Sequence, residues 1–172
     1  MKKLLILVAA ILGVSTVSAQ KFARIDSQEI VMALPEVAEV EKNLEALVKD
    51  WREQLEQIQV EFNNKLADFE KNQATMSTSI KQMKQRELQD LQQRIAENQQ
   101  IAQQEIEKKQ AELLEPLHNK VQNAINKVAK AGGYIAVLNT AIPSFVYIDE
   151  AQVADIAPLV RKELGIAEPV KK

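Results

Sequence analysis

The chain has 172 residues, 22 Lys/Arg against 24 Asp/Glu, and a net charge of −2. It is not polybasic, so bulk charge gives no argument for nucleic acid. It has no Cys and one His, which excludes a disulfide framework and leaves little for metal or triad chemistry.

The first residues are MKKLLILVAAILGVSTVSA. Two lysines, an apolar run from Leu4 to Val14 and small residues ending Val17-Ser18-Ala19 follow one another in the order of a secretory signal peptide. The apolar run is about half the ~20 residues that a membrane span needs. Residues 1–19 are therefore expected to be removed, leaving an exported, soluble chain from Gln20. Loss of Lys2 and Lys3 leaves 20 basic against 24 acidic residues, a charge of −4.

KFARID (21–26) alternates and is expected to form a short strand. Ser27 can cap a short helical turn with Glu29 in its first turn. Pro35 suits the first turn of the next helix. From there Val37, Val40, Leu44, Leu47, Trp51, Leu55, Ile58, Phe62, Leu66 and Phe69 follow at steps of three or four, with no Gly or Pro between them. That spacing predicts one long amphipathic helix.

NQATMSTS (72–79) is poor in helix formers and rich in capping residues. It predicts a reversal, with Ser77 or Ser79 as the cap of a second helix. That helix is expected over 80–131. It carries an eleven-residue repeat: Ile80, Leu91, Ala102, Leu113 and Ala124 in one row, and Ile95, Ile106, Leu117 and Val128 in another. Eleven residues make three turns of a nearly straight helix. The first helix shares the period at Trp51/Phe62, Leu55/Leu66 and Ile58/Phe69, which predicts two helices packed lengthwise as an antiparallel hairpin. Between them, 91–110 holds seven Gln in twenty residues, more polar surface than an ordinary core helix carries. Pro116 interrupts the second helix, and the hairpin is expected to leave a compact body there.

Gly132-Gly133 stops the helix. YIAVLN (134–139) and SFVYID (144–149) are β-branched and aromatic and predict two strands joined at TAIP. ADIAPLVRKELG (154–165) predicts a closing helix with Asp155 as cap and Gly165 as stop. The chain is thus expected to be α+β and mostly α. A small β body comes from its ends (20–34 and 117–172), and a long antiparallel helical hairpin is inserted over 35–116, turning near 72–79. Three short strands leave open edges, which pairing with other copies would close. Phe22, Ile25, Ile135, Val137, Phe145 and Tyr147 are the candidate oligomerisation residues.

Catalytic chemistry finds no foothold. The four glycines, at 13, 132, 133 and 165, cannot make a phosphate loop. His118 has no ligand or nucleophile motif near it, and the carboxylates follow helical solvent faces. No enzyme activity, cofactor or metal is expected. What remains is surface. Residues 36–70 hold ten Asp/Glu against four Lys/Arg, whereas the turn and the start of the return helix are basic. Met76, Ile80, Lys81, Met83, Lys84, Arg86 and Arg94 are candidates there for contact with acidic or amphipathic partners. An ordinary solvated hairpin end is the alternative.

The opening ARIDSQEIV, the charged hairpin with ATMS at its turn, KVQNAINKVAKAGGY and the closing DIAPLV together resemble the Skp/OmpH family of periplasmic chaperones. The resemblance covers essentially the whole mature chain. It implies a jellyfish-like homotrimer in which strands from three subunits form the body and three hairpins surround a cavity. It also implies a holdase that keeps unfolded outer-membrane proteins from aggregating in the periplasm without ATP. The best-known members are strongly basic and this chain has a pI near 5.6. That departure confines any contact with anionic membrane or lipopolysaccharide to the basic tip. A structural or adaptor coiled coil of the envelope is the alternative function.

Overall fold

The computed structural model describes residues 20–167, so the expected signal peptide (1–19) and the last tail residues lie outside the described part. The elements in order are β1 (Lys21–Ile25), α1 (Ser27–Met32), α2 (Val37–Asn72), α3 (Thr78–Gly132), β2 (Tyr134–Asn139), β3 (Val153–Asp155) and α4 (Ala157–Leu164). They divide into two compact units. One ends at Ile30 and resumes at Asn123; the other is Val31–Gln122.

The first unit is built on β1. Its sheet has the order β2-β1-β3, and both pairings are parallel. Ala23 lies opposite Val137 on one side and Ala154 on the other. Alternation along β1 buries Ala23 and Ile25 while Phe22 stays partly exposed. Ile30, Ala124, Ile125, Ile156 and Val160 complete the unit's buried apolar set. Backbone bonds fix the chain at both strand exits: Thr140 donates to the Ile25 carbonyl at 2.9 Å and Ile156 to that of Arg24 at 3.1 Å.

Two local expectations need correction. SFVYID (144–149) is not a strand; the third strand is 153–155. The sheet is parallel, and parallel neighbours cannot be joined by a tight turn. The chain after β2 instead crosses to the far side of β1 through residues 140–152. Phe145 and Tyr147 therefore belong to a connection rather than to a strand. The cap of α1 is also not Ser27. The Asp26 carboxylate accepts from the Glu29 N–H at 2.9 Å, and the Ser27 N–H is already donated to Asn139 Oδ1 at 3.2 Å.

Asp155 Oδ1 accepts from the Ala157 N–H at 2.9 Å at the start of α4, and Gly165 ends that helix at φ 69°. Arg161 points inward from α4 and is 3% exposed. It donates to Glu29 Oε1 at 2.5 Å and to the Ala167 carbonyl at 3.5 Å. This is the arrangement a buried guanidinium needs to offset its desolvation.

The two glycines after α3 do different work. A Cβ on Gly132 would sit 2.3 Å from the Tyr134 ring, and Gly133 has φ 67°. The left-handed conformation costs a non-glycine residue about 1 kcal/mol or more. Gly133→Ala should therefore lower stability by about that amount in urea unfolding, without altering helix content.

The second unit is a helical hairpin. α2 has 36 residues, about 54 Å at ~1.5 Å per residue. The helices part at 73–77 without Gly or Pro. Gln73 still donates to the Phe69 carbonyl, Thr75 donates to that of Asn72, and Ser77 caps α3 by accepting from the Ile80 N–H at 3.4 Å. Glu36 pairs with Lys120, Trp51 with Glu105, Lys65 with Glu87, and Asp68 with Lys84. One index falls as the other rises, so the two helices run antiparallel. α3 continues through Pro116.

The eleven-residue rows lie along this interface. Leu91, Ala102 and Leu117 are buried, and Ile95, Ile106 and Leu113 are half-buried. The departure is Ile80, which is 44% exposed. Leu91→Ala should cost about 2–4 kcal/mol of hairpin stability, whereas Ile80→Ala should change it by less than about 0.5 kcal/mol. Thermal melts of the two variants measure the difference.

Candidate functional site

Three surfaces are candidates, two on the hairpin and one in the first unit. The shaft buries most where the hairpin opens, at Val37, Val40, Leu117 and Val121. Farther along, most apolar residues facing the other helix are only half-buried. Outside the rows the shaft presents mostly Gln, Glu and Lys, with Val60 and Ile101 exposed among them. Gln93 and Gln103 each donate to a glutamate one turn on, Glu97 and Glu107.

Nearer the turn, a charge network ties the helices together. Lys65 bonds Glu87 across the hairpin and lies 3.7 Å from Glu61 on its own helix. Lys84 lies 3.8 Å from both Asp68 and Glu87. The hydrogen bond from Lys65 holds the Glu87 carboxyl below its ordinary 4.5, and the same bond raises the Lys65 ammonium above 10.5. At the open end the hydrogen bond from Lys120 likewise lowers Glu36.

Of the tip residues singled out from sequence, Met83 is 58% exposed, Ile80 is exposed, and Met76 and Lys81 are half-exposed. Arg86 and Arg94 are exposed, and among the described residues neither has an ion-pair partner. Lys84 differs, because its charge is already engaged by Asp68 and Glu87. The tip thus offers two exposed apolar side chains with Arg86 within a turn of Met83, whereas Arg94 lies about 16 Å farther along the helix.

In the first unit the candidate strand residues separate. Ile25 is buried inside the chain's own fold, so it is not available to a partner. Phe22 and Ile135 are exposed, and Val137 is half-exposed. Phe145 and Tyr147 are exposed on the 140–152 connection together with Ile142 and with Val146, whose exposure reaches 108%. Sequence reading missed Ile142 and Val146 as surface residues. The signal was present, because an apolar run interrupted by Pro143 and Ser144 fits poorly as a buried strand. Arg24 reaches this connection through Glu150 at 3.2 Å.

Among the described residues, no group of three or more His, Cys, Asp or Glu could hold a metal ion. His118 is exposed. No described helix is long and apolar enough to cross a membrane.

The family model for outer membrane protein (OmpH-like) matches residues 21–164, from β1 to the end of α4. The chain belongs to the OmpH-like family. Its similarity to the chaperone protein Skp of Blochmanniella pennsylvanica (strain BPEN) is 28% identity over 163 residues, 94% of this chain and 96% of that one. The crystal structure of an OmpH-like protein from Caulobacter crescentus CB15 shares the fold at a TM-score of 0.66 and 16% identity, over 88% of each chain. The OmpH-like match thus takes in both the sheet and the hairpin.

The pH dependence of the charge network follows from the two shifts. Glu87 has a depressed pKa when folded, so its contribution is present above 4.5 and fades as pH falls through the lowered value. Lys65 has a raised one, so its contribution is present below 10.5 and fades as pH rises past the raised value. Hydrogen exchange over residues 61–91, corrected for intrinsic rates, should be level through neutral pH and accelerate in acid below 4.5. Glu87→Gln should show faster exchange at neutral pH and a smaller acid-side rise.

Proposed function

We propose that this OmpH-like chain is a periplasmic, ATP-independent holdase that keeps unfolded outer-membrane proteins from aggregating. The observation that carries the reading is the arm: a long hairpin whose apolar residues serve mainly to hold its two helices together. The surface left over is polar and amide-rich, with only isolated apolar side chains. Such a surface makes many weak contacts, whose sum over a tethered chain is strong while each one releases readily. Reversible capture lowers the free concentration of the aggregating species. Similarity to a chaperone named Skp supports the same reading.

In this reading residues 1–19 export the chain, 20–34 and 117–172 form the oligomerisation body, and 35–116 form the arm. A homotrimer gives the exposed Ile142, Phe145, Val146 and Tyr147 a place to be buried; that many large apolar side chains on one exposed connection is unusual for a monomer. Ile80, Met83, Arg86 and Arg94 provide the tip's contact with clients or with anionic membrane or lipopolysaccharide. An adaptor coiled coil would need a second continuous apolar seam for its partner, and the hairpin's rows are already turned toward each other.

The test is direct. A urea-unfolded β-barrel protein is diluted into buffer with and without the mature chain, and light scattering is followed. Scattering should fall as the chain is added, without ATP; unchanged scattering at several-fold excess overturns the reading. Light-scattering mass in the same buffer should give a trimer, and Val146→Glu with Tyr147→Glu should shift it toward monomer.

A further inference from the structure

We propose that the mature chain begins with a lactam: Gln20, once it is the N-terminal residue, closes on itself as pyroglutamate. The proposal rests on the export reading, in which residues 1–19 are removed, and it assigns a covalent modification to the first mature residue.

The small residues Val17 and Ala19 place the cleavage just before Gln20. A glutamine with a free α-amino group carries its own electrophile. The α-amino nitrogen attacks the side-chain carbonyl carbon Cδ, and the new N–Cδ bond closes a five-membered ring. The Cδ–Nε2 bond breaks, a proton passes from the amine to Nε2, and ammonia leaves. Nothing is oxidised or reduced, and no co-reactant is consumed. Both reacting groups belong to one residue, so the encounter is intramolecular. An α-amino group has an ordinary pKa of about 7.7–8.0, so a usable share is neutral and nucleophilic near neutral pH.

The fold leaves this residue free to react. Gln20 is exposed, and β1 begins only at Lys21. Lys21 faces Tyr134 beside a register shift, and pairing with β3 starts at Phe22. Gln20 therefore stands outside the ladder on both sides. Among the described residues its side chain has no hydrogen-bond partner, so turning the amide toward the amine breaks no contact.

The position gives the ring a consequence. β1 is the central strand of the sheet and starts at the residue after the new N-terminus. Removal of Gln20 and Lys21 by an aminopeptidase would reach Phe22, which pairs with both neighbours, Ala136 and Val153. A lactam offers such an enzyme no α-amino group. The strand that holds β2 and β3 together is thus protected from its free end.

The test uses the full chain, expressed in a Gram-negative host and purified from the periplasm. Its intact mass should equal that of residues 20–172 less one ammonia. Edman degradation should release no first residue, and pyroglutamyl aminopeptidase should restore a readable sequence starting at Lys21. Gln20→Ser has no side-chain amide to close on. It should keep its full mass and helix content and be readable from its first residue. A general aminopeptidase should shorten Gln20→Ser and leave the wild type intact. A wild-type chain that starts at Gln20 with its ammonia retained overturns the proposal while the export reading stands, and so does one shortened as readily as Gln20→Ser. A chain cut at another bond overturns the lactam alone. A chain that keeps residues 1–19 overturns both.

Discussion

Strand β1 lies between two parallel neighbours, and that constraint governs the rest. Parallel strands cannot be joined by a tight turn, so each connection must travel. The connection from β1 to β2 contains both long helices of the hairpin. The connection from β2 to β3 must cross from one side of β1 to the other, and residues 140–152 do so. The sheet therefore needs both ends of the chain. Its most apolar connection is also left without a strand partner, which is why Ile142, Phe145, Val146 and Tyr147 stand exposed.

The hairpin solves a different problem. A helix of this length usually buries a broad apolar stripe. Here the rows are narrow, with alanine at 102 and half-buried residues along most of the shaft. What the apolar rows lack in width, polar pairs across the helices supplement: Trp51 with Glu105, Lys65 with Glu87, Asp68 with Lys84. Exposed ion pairs contribute little each. The same economy leaves an outer wall that has little reason to stick to other copies.

These two parts divide the labour of the proposed holdase. The sheet unit supplies the apolar surface suited to assembly, and the hairpin supplies the weak, repeated surface suited to an unfolded chain. Neither requires a cofactor or a bond-making residue. Arg161, buried but bonded to the exposed Glu29, belongs to the first part as a fixed charge that ties α4 to α1.

The sequence by itself determined the helices. An eleven-residue period is a local property, and side-chain spacing alone dictates which face is apolar, so the rows from Leu91 to Leu117 could be read directly. The cap at Ser77 and the stop at Gly132-Gly133 were legible for the same reason, because their chemistry acts within a few residues; Asp155 instead lies one residue before the N-cap of α4, Ile156. Strand pairing was not legible. SFVYID has the composition of a strand, but composition measures fit to a pleated surface and does not name a partner. Only the tertiary structure decided that β1 would be central and its neighbours parallel, and this placed the third strand at Val153–Asp155. It also decided that Ile25 is buried within the fold and that Lys84 is already paired.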